Sequence, residues 1–221
     1  MLLPTSGYRS AEIDRRQQIV EDLLPPDISF EIVAPDGSPE FLDRSQHFGE
    51  AINAAAAFLS ELSPDRFDAV ILAGALDPGL AGARAVSPVP VVGPGEASMF
   101  LAAILGRRVS IVTVDRYAVD ATHDMLTALP RKPEIASIRS MDLPVREVMN
   151  DFEIAGDRLR AACDLAVRED GAEAVFLGAM ILGMLPITPR LHGMLGVHVI
   201  NPLHTAVAAA VQLARFANGR S

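Results

Sequence analysis

The chain contains an internal repeat. Residues 68–74 (DAVILAG) and residues 173–179 (EAVFLGA) both read as an acidic residue, a buried-strand run and then very small residues. A second pair follows about twenty residues later, where residues 91–94 (VVGP) correspond to residues 199–202 (VINP), and each opens an Ala-rich helix. The repeat therefore predicts two similar halves, each built around a buried strand.

In open parallel sheets, ligands bind beyond the carboxyl ends of the strands. Two similar halves are expected to place their matching strand ends around one cleft. The repeat then points to Gly74 and Ala179 as the positions where chemistry is expected, although neither has a reactive side chain.

Strand-like and helix-like segments alternate along the whole chain, which is typical of parallel sheets covered by helices. The sequence predicts an α/β fold of two pseudo-symmetric parallel-sheet α/β subdomains with an interdomain cleft. The first subdomain is predicted to comprise residues 1–94 plus 203–221, and the second residues 95–202. The predicted strands are 1–3, 29–34, 67–73, 89–92, 108–114, 134–139, 174–177 and 197–200. Helices are predicted at 11–24, 49–62, 95–105, 117–129 and 203–216, and residues 145–169 are predicted to carry one or two more.

Composition excludes several classes of protein. The net charge of −9 argues against partners that are nucleic acid or an anionic membrane surface, because phosphate neutralisation needs clustered Lys and Arg. The single cysteine, Cys163, excludes an internal disulfide and a cysteine-based zinc site. The longest apolar stretch, residues 174–185, is shorter than the roughly 20 residues that cross a bilayer. With no signal peptide recognised either, the expected location is the cytoplasm.

Four segments together resemble the hydantoin racemase branch of the aspartate/glutamate racemase superfamily: residues 68–80, 90–105, 171–179 and 199–214. The resemblance spans nearly the whole chain, and its most specific pieces are DPGL at 77–80 and GPGEA at 93–97. It implies an interdomain cleft, a small carboxylate or hydantoin-like ligand, no cofactor and no metal. A homo-oligomer is also expected.

The same resemblance implies a mechanism that this chain lacks. In that family one thiolate removes the α-proton of the substrate and a second thiol returns a proton to the opposite face, which suits an ordinary thiol pKa of about 8.5. The family motif places these cysteines where this chain has Gly74 and Ala179. The family's first loop is also altered, because Thr5 and Ser6 keep hydroxyls but its asparagines are missing.

Three side chains remain as catalytic candidates: Ser6, Asp77 and His204. Each has a structural alternative, namely local turn capping for Ser6, an N-cap of the following helix for Asp77, and a satisfied structural role for His204. The candidate substrate-binding residues are Thr5, Ser6, Ala75, Leu76, Thr113 and Met180, with core filling as the alternative for Met180.

Two other residue types are interpreted as structural. Helical spacing places Cys163 on the core face of a helix, where a free cysteine behaves as a small hydrophobe. His192, His198 and His204 are six residues apart, which is not a one-face helical spacing, so no metal site is predicted.

These features favour a cofactor-independent isomerase, lyase or decarboxylase of the racemase superfamily that does not use the two-cysteine relay. One alternative is a catalytically inactive binding or regulatory homologue. A third reading is a structural subunit that pairs with an active paralogue, so the sequence leaves open whether the protein is an enzyme.

Overall fold

The computed structural model describes residues 1–42, 45–217 and 219. It divides into two compact units, one made of Met1–Pro94 and Ala206–Ser221 and the other of Gly95–Thr205. Each unit contains parallel strands with helices between them. The predicted α/β class with parallel sheets in two subdomains is therefore confirmed. The cleft and the subdomain boundaries stay predictions, and residues 218, 220 and 221 of the predicted first subdomain lie outside the described residues.

The first unit has a short parallel sheet. Strands β1 and β2 pair in parallel, with Val70 opposite Val91, and Leu2 forms parallel bridges to both Val33 and Leu72. Leu2, Leu59 and Leu72 are buried in its core. The elements are α1 (Ser10–Glu21), α2 (Ser45–Ser60), β1 (Val70–Ile71), α3 (Leu80–Val86) and β2 (Val91–Val92).

The second unit has a four-stranded parallel sheet in the order β4-β3-β5-β6. The two central strands are buried along their whole length, as expected for a parallel sheet covered on both faces. Its elements are β3 (Val109–Thr113), α5 (Arg116–Ala128), β4 (Ile135–Ser140), α6 (Val145–Asn150), α7 (Phe152–Arg168), β5 (Ala174–Leu177), a 3₁₀ helix (Met180–Met184), α8 (Thr188–Leu195) and β6 (His198–Ile200).

Two long helices contain the boundaries between the units. Helix α4 (Pro94–Leu105) begins at the last residue of the first segment, and α9 (Pro202–Ala217) starts in the second unit and continues into the first. The first unit is therefore discontinuous in sequence.

Some predicted elements differ from the structure. The predicted strand 29–34 is reduced to Val33, which donates its N–H to the carbonyl of Met1 and accepts from the N–H of Leu3. The alternating residues 29–34 form a partly exposed segment that pairs only with the short segment at residues 1–3, so no full ladder of hydrogen bonds forms. Helix α8 was not predicted; Pro189 lies in its first turn, where proline is tolerated.

Candidate functional site

In the first unit, β1 leads into a tight turn that carries Gly74 and Asp77. The N–H of Asp77 donates to the carbonyl of Gly74 at 2.9 Å. Asp77 has a φ of 53°, the left-handed region that non-glycine residues rarely occupy. Strain of this kind persists only where the surrounding structure enforces it.

Asp77 does not cap the helix that follows. The N-cap of α3 is Gly79, with a φ of 74° and no side-chain cap hydrogen bond. The interpretation of Asp77 as the N-cap of that helix is therefore wrong. Left-handed backbone at both Asp77 and Gly79 turns the chain before α3 begins, so the cap position falls two residues later than the sequence suggested.

Gly74 is small because a proline ring covers it. A Cβ atom at position 74 would lie 2.9 Å from Cδ of Pro78, closer than real Cβ contacts, and the ring cannot swing away as a flexible side chain would. Gly74 itself is half-buried, while the neighbouring Ala75 is buried and Leu76 is half-buried. A side chain at position 74 would therefore require Pro78 to move.

Gly93, directly after β2, has two side chains close beside it: that of Leu80, whose Cδ2 would lie closest to an added Cβ atom, and that of Asp77. A Cβ atom there would be 2.7 Å from both Cγ and Oδ2 of Asp77. Asp77 follows β1 in the chain, and β2 is the strand that pairs with β1. The Asp77 carboxylate consequently lies at the carboxyl end of β2. This pairing of Asp77 with Gly93 was not predicted, although both residues belong to the segments quoted for the family resemblance.

Thr5 and Ser6 lie at the same edge of the first sheet as the turn after β1, because the segment at Leu2 pairs in parallel with the segment at Leu72. Thr5 is buried and Ser6 is exposed. The Ser6 hydroxyl is within donating distance of two loop carbonyls, Ser38 at 3.1 Å and Pro39 at 3.3 Å. Its N–H also donates to Pro39 at 2.9 Å. The loop at residues 38–40, which sequence reasoning did not consider, thus holds the first loop in place.

In the second unit, Thr113 and Gly178 meet at the ends of β3 and β5. The Thr113 hydroxyl donates to the carbonyl of Gly178 at 3.3 Å, and Thr113 is fully buried. A Cβ atom at Gly178 would lie 3.0 Å from Cγ2 of Ile111 and 3.1 Å from Cβ of Thr113, so a larger residue there would require these side chains to shift slightly. Thr113 therefore joins the two strand ends.

Ala179 is the N-cap of the 3₁₀ helix and has an extended backbone, with φ −146°. Ala179 is half-buried and Met180 is buried. Thr188 fixes the segment that follows, because its hydroxyl donates to the carbonyl of Leu182 at 2.6 Å. Ala179 therefore lies at the start of a hydrogen-bonded turn.

Asn201 fixes the same 3₁₀ helix from β6. Its amide donates to the carbonyl of Gly183 at 2.9 Å, and its side-chain oxygen accepts from the N–H of Leu203. Sequence reasoning missed this link. The sequence could have indicated the helix cap, because Asn followed by Pro at a helix start is a common N-cap pattern. It could not have indicated the hydrogen bond to Gly183.

His204 lies on the first turn of α9, just after β6. Because β3, β5 and β6 are adjacent in the sheet, Thr113, Ala179 and His204 follow neighbouring strand ends. His204 is exposed in part, and partial burial of its ring lowers its pKa below the ordinary value of 6.5. At neutral pH this imidazole is therefore uncharged and able to accept a proton.

Cys163 is remote from this chemistry. It lies on the buried face of α7 and is 0% exposed, as its helical spacing predicted. Burial raises the pKa of the thiol to about 12, so the reactive thiolate is scarce at neutral pH. Cys163 acts as a core residue.

In the described part of the chain, no three or more His, Cys, Asp or Glu side chains are grouped so that they could hold a metal ion. Across residues 1–42, 45–217 and 219, no helix is both long enough and apolar enough to cross a membrane.

Comparison with known proteins identifies the family of this chain. The family model for Asp/Glu/Hydantoin racemase matches residues 12–210. The chain belongs to this family. A hydantoin racemase from Rhizobium meliloti is 30% identical over 179 residues, which is 81% of this chain and 73% of that protein.

Other relatives are longer than the matched region. Hydantoin racemases from Pseudomonas sp. (strain NS671) and Paenarthrobacter aurescens are 36% and 32% identical over 66% of this chain. The matches cover 57% and 61% of those proteins, so the chain spans less than two thirds of their length.

Two solved structures illustrate the fold of this family member. Allantoin racemase from Klebsiella pneumoniae superposes with a TM-score of 0.83 at 25% identity, over 97% of this chain and 86% of that one. A glycine-to-cysteine variant of arylmalonate decarboxylase, in a sulfate-associated form, superposes with a TM-score of 0.57 at 18% identity, over 87% of this chain and 85% of that one. The second likeness establishes the shared fold alone.

Proposed function

We propose that this protein is a cofactor-independent, cytoplasmic enzyme that acts on a small carboxylate or hydantoin-like substrate without a two-cysteine relay. One observation carries the proposal. The family scaffold is retained, but the positions that the resemblance assigns to the two thiols hold Gly74 and Ala179, and the Pro78 ring occupies the space beside Gly74.

The missing thiols restrict the chemistry. Racemisation by proton removal and return needs an acid and a base on opposite faces of the substrate carbon. A reaction with a single proton transfer needs only one such group. The enzyme still has to stabilise the enolate formed next to the carbonyl, which donors fixed in advance can do.

His204 is the group we propose for the proton transfer. Its lowered pKa keeps the imidazole neutral at pH 7, which is the form that removes a proton. Ser6 and Asp77 are proposed to orient the polar end of the substrate, with Thr5, Ala75, Leu76, Thr113 and Met180 as the remaining candidate binding residues.

The direct test is exchange of the substrate α-proton in deuterated water, followed by NMR with a panel of hydantoins and amino acids. We expect exchange with at least one compound. Replacing His204 with Asn is expected to slow it by about 10²-fold or more, because that is the usual contribution of a general base. The matched variant His192→Asn, on the exposed side of α8, should leave the rate unchanged.

The pH profile gives a second readout. The exchange rate should fall as pH drops through a value below 6.5, where His204 becomes protonated, and should be flat from there to pH 8. No exchange with any compound in the panel would contradict the proposed racemase-type proton transfer.

Decarboxylation is the second candidate function. It is favoured by Gly74 together with the fold shared with arylmalonate decarboxylase. In this reaction the bond to one carboxylate carbon breaks, carbon dioxide leaves, and the enolate takes a single proton. Release of carbon dioxide from substituted malonates would support it.

A non-catalytic binding protein is the remaining alternative. A thermal-shift screen with the same compounds distinguishes it, because a ligand that stabilises the protein and is recovered unchanged, with no exchanged proton, favours binding alone.

A further inference from the structure

Two histidines of the second unit lie side by side on the surface. His192 is in the last turn of α8 and His198 is the first residue of β6, and both side chains are exposed. Their ring centroids are 5.7 Å apart, and the ring planes are tilted by 37°. We call these two residues the histidine pair. A spacing of six residues does not place two side chains together on one helix, so the turn after α8 brings them together.

The turn after α8 is a hydrogen-bonded helix cap. Gly196 has a φ of 69°, the left-handed conformation that glycine adopts without strain. Its N–H donates to the carbonyl of His192 at 3.0 Å. The chain therefore turns sharply at the end of the helix, and His198 returns to the side of His192. Regular structure fixes the backbone of both histidines, because one is in a helix and the other is in a paired parallel strand.

A further hydrogen bond fixes the ring of His192. Its Nδ1 lies 2.9 Å from the carbonyl oxygen of Val197. A carbonyl oxygen can only accept, so Nδ1 carries a proton and donates it. In the neutral ring the lone pair is then on Nε2, which is the nitrogen that a metal ion would bind. Histidines that bind metals almost always donate their other ring N–H to a carbonyl or a carboxylate in this way.

The ring of His198 can turn towards the same point. In the part of the chain that the structure describes, neither of its ring nitrogens forms a hydrogen bond. Because the side chain is exposed, rotation about its single bonds presents either nitrogen without breaking a polar contact. The histidine pair therefore offers one fixed nitrogen and one adjustable nitrogen.

We propose that the histidine pair binds a divalent transition-metal ion through one nitrogen of each ring. Imidazole suits Cu²⁺, Ni²⁺ and Zn²⁺, and Cu²⁺ is bound most tightly. Bonds of about 2.0–2.1 Å from one ion to both rings place the ring centroids about 5–6 Å apart, which matches the separation of the histidine pair. Mg²⁺ and Ca²⁺ are not expected to bind, because both take oxygen ligands.

Two protein ligands make this a site of moderate affinity, with water at the remaining positions of the ion. This agrees with the finding that the described residues contain no group of three or more His, Cys, Asp or Glu side chains suited to a metal ion. The second imidazole still matters, because it binds within the same molecule once the first has bound. The histidine pair should therefore bind the ion much better than a single surface histidine does.

The site is remote from the proposed proton transfer. His198 pairs with Ala174 at the amino ends of β6 and β5, whereas Ala179 and His204 follow the carboxyl ends of the same strands. A bound ion joins the last turn of α8 to the start of β6 and so stabilises the folded second unit. Since binding is measured without substrate, its outcome is independent of the proposed function.

The test is isothermal titration calorimetry of the untagged chain with Cu²⁺ and Zn²⁺ as separate probes. We expect one ion per chain, tighter binding of Cu²⁺ than of Zn²⁺, and no detectable binding of Mg²⁺. His198→Asn should weaken Cu²⁺ binding by about tenfold or more, because one imidazole then remains. His192→Asn should do the same, although asparagine can still donate to the Val197 carbonyl. The electron paramagnetic resonance spectrum of bound Cu²⁺ should show two imidazole nitrogens in the wild type and one in each variant.

The matched control is His123→Asn on α5, an exposed histidine outside the histidine pair. It should bind Cu²⁺ as the wild type does, and every variant should keep the wild-type circular dichroism spectrum. Saturating Zn²⁺ should raise the melting temperature of the wild type and of His123→Asn more than that of the other two variants. Wild-type affinity in both His192→Asn and His198→Asn, a single imidazole in the wild-type spectrum, or equal weakening by His123→Asn would overturn the proposal. Any of these results would show adventitious binding to separate surface histidines.

Discussion

At the scale of single residues, three glycines are explained by what lies next to them. Pro78 covers Gly74, Asp77 lies against Gly93, and Thr113 approaches Gly178. The sequence shows the small residues and where the strands end. It does not show which neighbour makes each small residue necessary, because those neighbours are determined by turn geometry and strand pairing.

Restoring a side chain at position 74 tests the first of these contacts. We expect Gly74→Cys to lower the free energy of unfolding by about 1–3 kcal/mol, because the new Cβ overlaps the Pro78 ring. Urea denaturation at neutral pH measures the change. Combining it with Pro78→Ala should recover part of the loss.

The matched control is Gly82→Cys in α3, where an added Cβ meets no atom within 4 Å. It should be neutral or slightly stabilising, because glycine weakens a helix. Equal destabilisation by both substitutions would show that the Pro78 contact is not the cause.

At the scale of elements, Asn201 links three pieces of the second unit. It follows β6, caps the first turn of α9 and binds the 3₁₀ helix through Gly183. A Cβ atom at Gly183 would lie too close to the Asn201 side chain, so the two residues fit only as a pair. This link keeps the turn after Ala179 in a single conformation.

We expect Asn201→Ala to destabilise the protein by about 1–3 kcal/mol, because it leaves the buried carbonyl of Gly183 without its donor and removes a helix cap. Thermal or urea unfolding measures the loss. Asn150→Ala, at the exposed end of α6, should change stability by no more than about 0.5 kcal/mol.

A second link joins β4 to the segment after α7. Arg139 donates to both oxygens of Asp170, at 2.5 and 2.8 Å, and Ser137 donates to the same carboxylate. The hydrogen bonds from Arg139, the largest cause, together with that from Ser137, lower the pKa of Asp170 to about 2.

This pKa predicts an acid-dependent contribution to stability. Because the pKa of Asp170 in the folded protein lies below its ordinary value of 3.8, the contribution is complete above about pH 4 and is lost as pH falls through 2. Asp170→Asn should cost about 1 kcal/mol at pH 7, allowing for partial exposure. The difference from wild type should shrink towards pH 2. Asp157→Asn, an exposed residue of α7, should show no such trend.

The sequence predicted the strands of the second unit better than those of the first. Buried runs such as 174–177 have one interpretation, because a short apolar segment ending in small residues suits a central parallel strand. The segment 29–34 alternates like a strand but pairs only through Val33. An alternating segment forms a full ladder of hydrogen bonds only if the neighbouring strand is long enough, and the local sequence does not specify the length of that strand.

At the scale of the whole molecule, the first unit depends on the last helix of the chain. Val207, Val211 and Ala214 of α9 line a cavity of about 180 Å³ together with Phe30 and Phe58. Arg215 of the same helix lies 3.9 Å from Asp27. Residues separated by most of the sequence therefore share one folded unit.

Val211→Asp tests this dependence, because it places a charge at a position that is 7% exposed. We expect it to destabilise the protein by about 2 kcal/mol or more. Hydrogen exchange should show lost protection in residues 1–94 and retained protection in residues 95–205. Gln212→Asp, at the adjacent exposed position, should leave both units protected. Loss confined to residues 95–205 would contradict the assignment of α9 to the first unit.

The sequence by itself determined the α/β class, the family and the positions of the two strand ends, because repeated hydrophobic patterns and small residues are local properties. Only the tertiary structure shows which neighbouring side chains restrict the size of the residues at positions 74, 93 and 183. It placed Pro78 over Gly74, the Asp77 carboxylate beside Gly93 and the Asn201 amide on Gly183. Contacts of this kind depend on the geometry of turns and on which strands pair, and the order of residues along the chain does not specify either.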